Sequence, residues 1–282
     1  LDEVNYIIKQ TQTKIAFISG CYIKKFKKID LGKKIFIESD TKFIKKIQKF
    51  KKNLSPTHSF KKNPVAQILF TSGSTGRPKG VVLTQKSILH NMQGIKQRLR
   101  ITEKNPRFLA VTPLFHNNGQ FIPTLWPLIL GGTTTPIQSE TSIINFWPVA
   151  LKNEINYSSV MSTHINYFSE MKINTKDHKL KWLFCGGAKL DENIRKKFEK
   201  KYKIRVATNY GLTETSSIAT SEGTNLKERK KGSVGKALYN NKLKILKKNK
   251  KDIDGEIFIK GKNLFPYYLN QKKFSKTKFE NQ

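Results

Sequence analysis

The chain has 282 residues and carries 54 Lys and Arg side chains against 20 Asp and Glu, which gives a formal net charge of +34. Hydrophobic residues make up 37% of the sequence, enough to exclude a wholly disordered chain, and two cysteines are too few for a disulfide framework or a zinc site. The length favours about two domains. The cysteine count favours a reducing, cytoplasmic setting.

Strands and helices alternate along most of the chain. The predicted strands are Ile15–Ile18, Ile35–Ile37, Val65–Phe70, Phe108–Thr112, Thr133–Ile137, Tyr157–Met161, Leu180–Phe184 and Ile204–Thr208. The predicted helices are Gln85–Arg100 with Thr84 as N-cap, one around Phe121–Leu130, Ser142–Asn153, one from His164, and Asp191–Lys201. Residues 50–63 are predicted to form a loop. Strands separated by helices of this length predict βαβ units and an α/β fold with two largely parallel sheets.

The pattern changes after Gly232, where helical periodicity stops. Two short strands follow, Leu243–Leu246 and Glu256–Lys260, separated by a turn at Asp254-Gly255. The sequence therefore predicts an α/β core over residues 1–232 and the beginning of a small β-rich subdomain over residues 233–282.

One uncharged stretch, from Arg107 to Glu140, is long enough to raise the question of a membrane span. It contains four prolines and a polar cluster, His116–Gln120, which a single helix in lipid does not accommodate. We therefore expect no transmembrane segment.

A Gly-rich turn, residues 71–80 (the phosphate loop), follows the strand that ends at Phe70. Its small residues let the backbone approach an anion, successive N–H groups form an anion-binding concavity, and Lys79 supplies a mobile positive charge. The spacing differs from that of the Walker loop, because Gly80 and not Ser or Thr follows Lys79. This pattern indicates a polyphosphate site.

Three further segments follow predicted strands, where open α/β sheets place ligands. They are residues 112–119, which include His116; Cys185–Ala188; and residues 209–215, Asn-Tyr-Gly-Leu-Thr-Glu-Thr. An imidazole can orient a carboxylate, an aromatic face suits a base, a hydroxyl suits an anion, and a carboxylate suits a hard cation.

In order and spacing, the four segments resemble those of the adenylate-forming (AMP-binding) enzymes, the superfamily of acyl-CoA synthetases, luciferases and peptide-synthetase adenylation domains. The resemblance implies that Thr71, Ser72, Gly73, Ser74, Thr75, Gly76 and Lys79 bind the phosphates of ATP. It implies that His116, in the acid loop (residues 112–119), lies beside the carboxylate substrate, and that Gly186, Gly187 and Ala188 (the glycine turn) contact the adenine and the acyl group. In the nucleotide segment (residues 209–215), it implies that Tyr210 stacks on the adenine, that Asn209 and Gly211 also bind the nucleotide, that Thr213 donates to a phosphate oxygen and that Glu214 ligates Mg²⁺.

The implied reaction joins a carboxylic acid to ATP, giving an acyl-adenylate and pyrophosphate, and then transfers the acyl group to coenzyme A or a carrier-protein thiol. The catalytic set would be Lys79, His116, Thr213 and Glu214. Amino acids are disfavoured, because His116 stands where the adenylation domains that take them usually place an Asp. We expect Phe121, Leu125 and Trp126 to line an apolar pocket for a fatty or other apolar acid.

The sequence also departs from the family. Pro266-Tyr267-Tyr268 replaces the usual Gly-Tyr, and the chain stops at Gln282, before the positions of the family's ribose-binding Asp and C-terminal Lys. The resemblance therefore implies a central fragment of the large domain, with an incomplete catalytic set.

Two other functions are left open. One is a catalytically inactive relative that still binds nucleotide. The other is a basic protein that binds nucleic acid or an anionic surface, for which a high net charge is typical. Because the lysines are scattered from Lys9 to Lys278 and no nucleic-acid-binding motif occurs, we expect no specific nucleic-acid partner.

Overall fold

The computed structural model describes residues 1–19, 22–26, 29, 33–37, 45, 48, 63–71, 77–137, 141–173, 175, 177–249 and 251–270. The chain divides into two units. Unit 1 consists of residues 1–64, 70–80 and 267–274, and unit 2 consists of residues 65–69, 81–266 and 275–282. The boundary that the sequence suggests at residue 232 stays a prediction, and most of the predicted loop 50–63 lies outside the described residues.

The elements are numbered in chain order. The strands are β1 Ile15–Ser19, β2 Lys33–Ile37, β3 Val65–Thr71, β4 Lys79–Thr84, β5 Arg107–Ala110, β6 Thr133–Pro136, β7 Tyr157–Met161, β8 Trp182–Gly186, β9 Arg205–Leu212, β10 Ser217–Ser221, β11 Lys236–Ala237, β12 Asn241–Leu246 and β13 Glu256–Gly261. The helices are α1 Asp2–Thr11, α2 Ile23–Phe26, α3 Gln85–Leu99, α4 Asn117–Gln120, α5 Trp126–Ile129, α6 Ser142–Lys152, α7 Ser162–Glu170 and α8 Glu192–Tyr202, with a π-helix at Phe121–Leu125. Two 3₁₀ turns occupy Thr213–Thr215 and Leu226–Glu228.

A seven-stranded sheet forms the centre of unit 2. Its strand order is β11-β10-β9-β8-β7-β5-β6, in which β5 to β9 are parallel and β10 and β11 are antiparallel. The predicted α/β fold is confirmed with one mostly parallel central sheet, and of the second predicted parallel sheet the described residues show only the two-stranded pair β1–β2. The sequence did not predict β10, which doubles back on β9 and places the nucleotide segment in a hairpin.

The main core lies where helices α6, α7 and α8 pack against this sheet. Trp147 stacks on Tyr202 with ring centroids 4.6 Å apart, and Phe146 lies 4.6 Å from Phe168. Strands β7 and β8 read as nearly continuous buried runs because both faces of a parallel sheet are covered. Each strand ends where its buried run ends, and the loops that follow begin there.

Residues 117–129 form one continuous helical stretch in which the π-helix separates α4 from α5. Pro123 and Pro127 have no N–H to donate, so the regular hydrogen-bond ladder is interrupted here. The Thr134 hydroxyl donates to the Pro123 carbonyl oxygen at 2.8 Å, and the Thr124 hydroxyl donates to the Gly119 carbonyl oxygen at 2.8 Å. Side chains thus satisfy carbonyls that the irregular helix leaves open.

Smaller sheets complete the fold. In unit 1, β1 and β2 pair in parallel, and in unit 2, β12 and β13 form an antiparallel hairpin. Strands β3 and β4, on either side of the phosphate loop, pair with each other. Thr84 is the N-cap of α3 as predicted, since its hydroxyl accepts the Ser87 N–H at 3.2 Å.

Within the described residues, every helix is too short or too polar to cross a bilayer.

Candidate active site

The described part of the phosphate loop lies in unit 1. Ser72, Gly73, Ser74, Thr75 and Gly76 lie outside the described residues, whereas Thr71 ends β3 and Lys79 begins β4. The Lys79 ammonium lies 5.8 Å from the ring centroid of Tyr268, and the Leu269 N–H donates to the Gly80 carbonyl oxygen at 2.7 Å. The segment in which the sequence departs from the family therefore packs against the predicted phosphate-binding lysine.

The other three segments come together in unit 2. A cavity of about 80 Å³ lies at the carboxyl ends of β8 and β9, where open α/β sheets bind ligands. Its lining residues are Asn117, Asn118, Gly186, Gly187, Asn209, Gly211, Ser217 and Ile218. The acid loop, the glycine turn and the nucleotide segment, far apart in the sequence, thus share one site.

His116, the residue expected beside the carboxylate, lies on the surface next to this cavity. Its ring packs against Phe115 with centroids 4.6 Å apart, and the His116 backbone N–H donates to the Pro113 carbonyl oxygen at 3.1 Å. The neighbouring Asn118 does line the cavity, and its Oδ1 accepts the Ser159 hydroxyl at 2.8 Å. The sequence analysis gave Asn118 no role, although the adjacent side chains of Asn117 and Asn118 stand out in the sequence of this loop.

The nucleotide segment is held in a tight β9–β10 hairpin. A Cβ at Gly211 would lie 1.8 Å from the Ser217 carbonyl oxygen, so only glycine fits at this position of the hairpin. The Asn91 carboxamide of α3 donates to the carbonyl oxygens of Thr215 at 3.1 Å and Ile218 at 2.7 Å. The 3₁₀ turn that carries Thr213 and Glu214 is therefore anchored on both sides.

Glu214 is half-buried, and the Phe265 N–H donates to its backbone carbonyl oxygen at 2.9 Å. Among the described residues no group of three or more His, Cys, Asp or Glu side chains could hold a metal ion. Mg²⁺ usually keeps several waters and takes one or two carboxylates together with substrate phosphates. The single Glu214 carboxylate is the kind of ligand that Mg²⁺ takes together with phosphates and water.

The expected apolar acid pocket is not what the structure shows. Phe121 and Trp126 are fully buried, and the Trp126 ring lies 5.5 Å from Phe108 and 5.9 Å from Phe184. These two aromatic side chains belong to the core, and Leu125 alone of the three is exposed. The reason is that the helical stretch packs on the sheet, and its large apolar side chains are buried against the strands.

A cluster of buried Arg and Glu side chains lies near the site, and the sequence did not predict it. The Arg195 guanidinium in α8 donates to both carboxylate oxygens of Glu222, at 2.9 and 2.8 Å, and the side chains are 3% and 1% exposed. Glu222 also accepts the Thr208 N–H at 2.8 Å. Thr208 is the last residue of β9 that pairs with β8, and it directly precedes Asn209, so the cluster holds the part of β9 where the nucleotide segment begins.

Two arginines extend this cluster. Arg229 donates to Glu199 at 2.9 Å, and Arg98 donates to the Glu222 carbonyl oxygen at 2.8 Å and to Glu228 at 2.7 Å. Arg98 and Lys236 lower the pKa of Glu228 to about 2, mainly through hydrogen bonds. The chain has 54 Lys and Arg residues, and no sequence pattern distinguishes these buried arginines from the basic residues that are exposed to solvent.

Buried titratable groups in unit 2 carry further shifts. Burial raises the pKa of the Cys185 thiol to about 12 and lowers the pKa of His164. The His164 Nδ1 accepts the Met161 N–H at 3.4 Å, and its Nε2 lies 3.1 Å from the Ser142 hydroxyl. Burial therefore favours the neutral form of both groups, and the Cys185 thiol is disfavoured as a thiolate.

Comparisons with known proteins identify the family of this chain. The sequence model of the family described as AMP-binding enzyme matches residues 1–269. Oxalate–CoA ligase of Arabidopsis thaliana is 32% identical over 230 residues, covering 76% of this chain and 43% of that protein. Sulfoacetate–CoA ligase of Cupriavidus necator is 27% identical over 208 residues, covering 72% of this chain and 40% of that protein.

The solved structure of O-succinylbenzoate coenzyme A synthetase from Bacillus subtilis, in complex with ATP and magnesium ion, shares the fold. Its TM-score is 0.79 at 22% identity, and the match covers 96% of this chain and 55% of that one. The chain thus spans about two fifths of the length of these two curated relatives. Because the family match extends over nearly all of its residues, the chain belongs to the AMP-binding enzyme family.

Proposed function

We propose that the protein activates a carboxylic acid with ATP and transfers the acyl group to coenzyme A. The observation that carries this proposal is the convergence of the acid loop, the glycine turn and the nucleotide segment on one cavity at the carboxyl ends of β8 and β9. Family membership and the two CoA ligases among the relatives support it. We place the reaction in the cytoplasm, in keeping with the reduced, buried Cys185.

The chemistry needs two anions brought together rather than a protein nucleophile. A carboxylate oxygen attacks the α-phosphorus of ATP, the bond to the pyrophosphate leaving group breaks, and an acyl-adenylate remains. In the second step the thiol of coenzyme A loses its proton, its sulfur attacks the acyl carbon, and AMP departs with the bonding electron pair. Positioning and charge stabilisation account for rate enhancement in reactions of this kind.

Each site residue has a proposed part in the first step. The backbone of residues 71–76 and the Lys79 ammonium hold the triphosphate, and Thr213 donates to a phosphate oxygen. The Tyr210 ring packs on the adenine, with Gly186, Gly187, Ala188, Asn209 and Gly211 completing the nucleotide and acyl walls. Glu214 would hold Mg²⁺, which supplies charge neutralisation at the phosphates when bound. His116 orients the carboxylate from the rim of the cavity.

The acid itself has two candidate classes. The sequence favours a fatty or other apolar acid, and it disfavours amino acids because His116 follows Phe115. The relatives named above are ligases for oxalate and sulfoacetate. An ATP–pyrophosphate exchange screen over fatty, aryl, short polar and amino acids decides between them.

The assignment is tested with Lys79→Ala and Glu214→Ala in the whole protein. Each is expected to lower acyl-adenylate formation by about 10²-fold or more, the scale of losing a preorganised electrostatic contact. Lys244→Ala and Glu256→Ala, exposed on the β12–β13 hairpin, serve as controls and should leave the rate unchanged. Unchanged rates in both site variants would contradict the assignment, and ATP binding without pyrophosphate exchange would indicate a catalytically inactive relative. Acyl transfer to a carrier protein but not to coenzyme A would change only the acceptor.

A further inference from the structure

We propose that Asn263 is a positioning residue for Glu214, the proposed Mg²⁺ ligand. Asn263 holds the backbone of residues 214–216 in the arrangement that presents the Glu214 carboxylate to the metal. The proposal rests on the function proposed above and adds to it a residue that acts through the backbone of the nucleotide segment.

The backbone directly after the 3₁₀ turn that carries Glu214 has an unusual conformation. Ser216 has a φ of 54° and Ser217 a φ of 106°, and both lie in the region of positive φ that favours glycine. Non-glycine residues in such conformations are costly and persist only where surrounding contacts hold them. Because Ser216 is fully buried, the contacts that hold it come from other parts of the chain.

Asn263, in the turn that follows β13, supplies two of these contacts. Its Nδ2 donates to the Thr215 carbonyl oxygen at 2.9 Å, and its own carbonyl oxygen accepts the Ser216 hydroxyl at 2.7 Å. Two residues further on, the Phe265 N–H donates to the Glu214 carbonyl oxygen at 2.9 Å. The three hydrogen bonds act on three consecutive residues and therefore fix the course of the backbone that carries Glu214.

A local role in its own turn does not explain the Asn263 side chain. An asparagine in a turn ordinarily hydrogen-bonds its own backbone two residues further on. The Asn263 carboxamide instead reaches Thr215, which is 48 residues away in the sequence. The contact thus ties the segment after β13 to the nucleotide segment.

The orientation of this carboxamide has a cost in stability. Because Nδ2 is directed at a carbonyl oxygen, Oδ1 is buried without a hydrogen-bond partner among the described residues. It packs beside Gly261, where a Cβ would clash with it. A buried acceptor without a donor offsets what the Nδ2 hydrogen bond contributes, so positioning of the turn explains Asn263 better than stability does.

The test compares ATP binding by the whole protein in Mg²⁺ and in EDTA. Isothermal titration calorimetry without any acid measures both Kd values, so the readout does not depend on turnover. Mg²⁺ should tighten ATP binding by the unsubstituted protein, because Glu214 would hold the metal. Asn263→Ala should reduce this tightening by about 10-fold and leave the Kd in EDTA unchanged, since the loss of a group that orients a metal ligand acts on metal affinity.

Asn241→Ala is the matched control. Asn241 is also a buried carboxamide, with an Oδ1 that lacks a partner among the described residues and packs beside Gly261. Its Nδ2 donates to the Ala219 carbonyl oxygen of β10 at 3.4 Å, not to the turn that carries Glu214. This variant loses a similar buried contact and should keep the full effect of Mg²⁺ on ATP binding.

Glu214→Ala tests whether Asn263 acts through Glu214. It should abolish the tightening by Mg²⁺, and the double variant Glu214→Ala/Asn263→Ala should show no further change, because the two residues act as one unit. Ser216→Ala removes only the hydroxyl that Asn263 accepts, and it should reduce the tightening in the same direction if Asn263→Ala does not fold.

The outcomes separate this inference from the proposed function. An unchanged effect of Mg²⁺ in Asn263→Ala, an equal loss in Asn241→Ala, or a further loss in the double variant would overturn the inference and leave acid activation standing. A folded, unsubstituted protein that binds no ATP in either condition would overturn the proposed function and this inference with it.

Discussion

The ion pair between Arg195 and Glu222 should be the most stability-sensitive polar contact in unit 2, and Glu222→Gln tests this. The substitution keeps the shape and one acceptor for the Thr208 N–H but removes the charge that faces Arg195 at 2.8 Å. Removing one partner of a buried pair costs about 3–5 kcal/mol, because the other charge stays buried without compensation. Glu192 still accepts from Arg195 at 2.6 Å, which places the cost at the lower end of that range.

A loss of about 3 kcal/mol corresponds to a fall in Tm of about 6–12 °C, taking about 2–4 °C per kcal/mol for a chain of this size. Thermal and urea unfolding followed by circular dichroism measure it. Glu170→Gln is the control, since its partner Lys197 is 54% exposed and Glu170 is 69% exposed. Exposed pairs contribute little, so this variant should unfold at the temperature of the unsubstituted protein.

The double variant Arg195→Met/Glu222→Leu separates charge from packing. Replacing both ions with apolar side chains removes the uncompensated charge, so the double variant should be more stable than Glu222→Gln. A Tm for Glu222→Gln within 2 °C of the unsubstituted protein, or a double variant less stable than that single one, would refute the reasoning.

Three further outcomes are expected. Tyr268→Leu should lower kcat/KM for ATP about 2- to 30-fold, because a ring face holds a cation with about 0.5–2 kcal/mol, whereas Tyr268→Phe keeps the ring near Lys79 and should restore the rate; equal losses in both would argue against the contact. Burial lowers the pKa of His164, so the unfolded state binds the extra proton below about pH 6.5 and the free energy of unfolding should fall with decreasing pH by up to about 1.4 kcal/mol per pH unit. Unfolding titrations of His164→Asn should lack this component, and an identical pH slope in the variant would contradict the assignment. In a Cys21→Ser background, Cys185 should resist an aromatic disulfide reagent at pH 8 until urea unfolds the protein, because burial raises its pKa to about 12; labelling of the native thiol within seconds would show otherwise.

The sequence predicted the parallel strands well because a strand covered on both faces is a continuous apolar run, as in Trp182–Gly186. It did not predict β10, whose residues are Ser-Ile-Ala-Thr-Ser, because their burial depends on contacts from elsewhere in the chain. One of these is the Asn91 carboxamide, which donates to the Ile218 carbonyl oxygen. No local periodicity encodes such a contact.

In the candidate site, too, features with a local sequence pattern were predicted, and features that depend on distant contacts were not. Its segments could be picked out from the sequence because glycines near the ends of predicted strands form a local pattern, as at Gly186 and Gly211, and the structure brings these glycines to one cavity. The nature of the acid pocket was misjudged because composition does not tell whether an aromatic side chain points into a cavity or a core, and Trp126 points into the core. Arg195 was missed because it stands among exposed basic residues of α8.

The π-helix at Phe121–Leu125 has a consequence for how this site could diverge. A π-helical turn holds one residue more than an α-helical turn, so deleting a single residue would convert it to regular α-helix. Each residue of an α-helix turns the chain by about 100°, and Trp126 is locked in the core downstream. Phe121 is buried as well, so the rotation would be opposed at both ends of the π-helix, and a one-codon deletion would displace Asn117 and Asn118 at the cavity without any substitution among them.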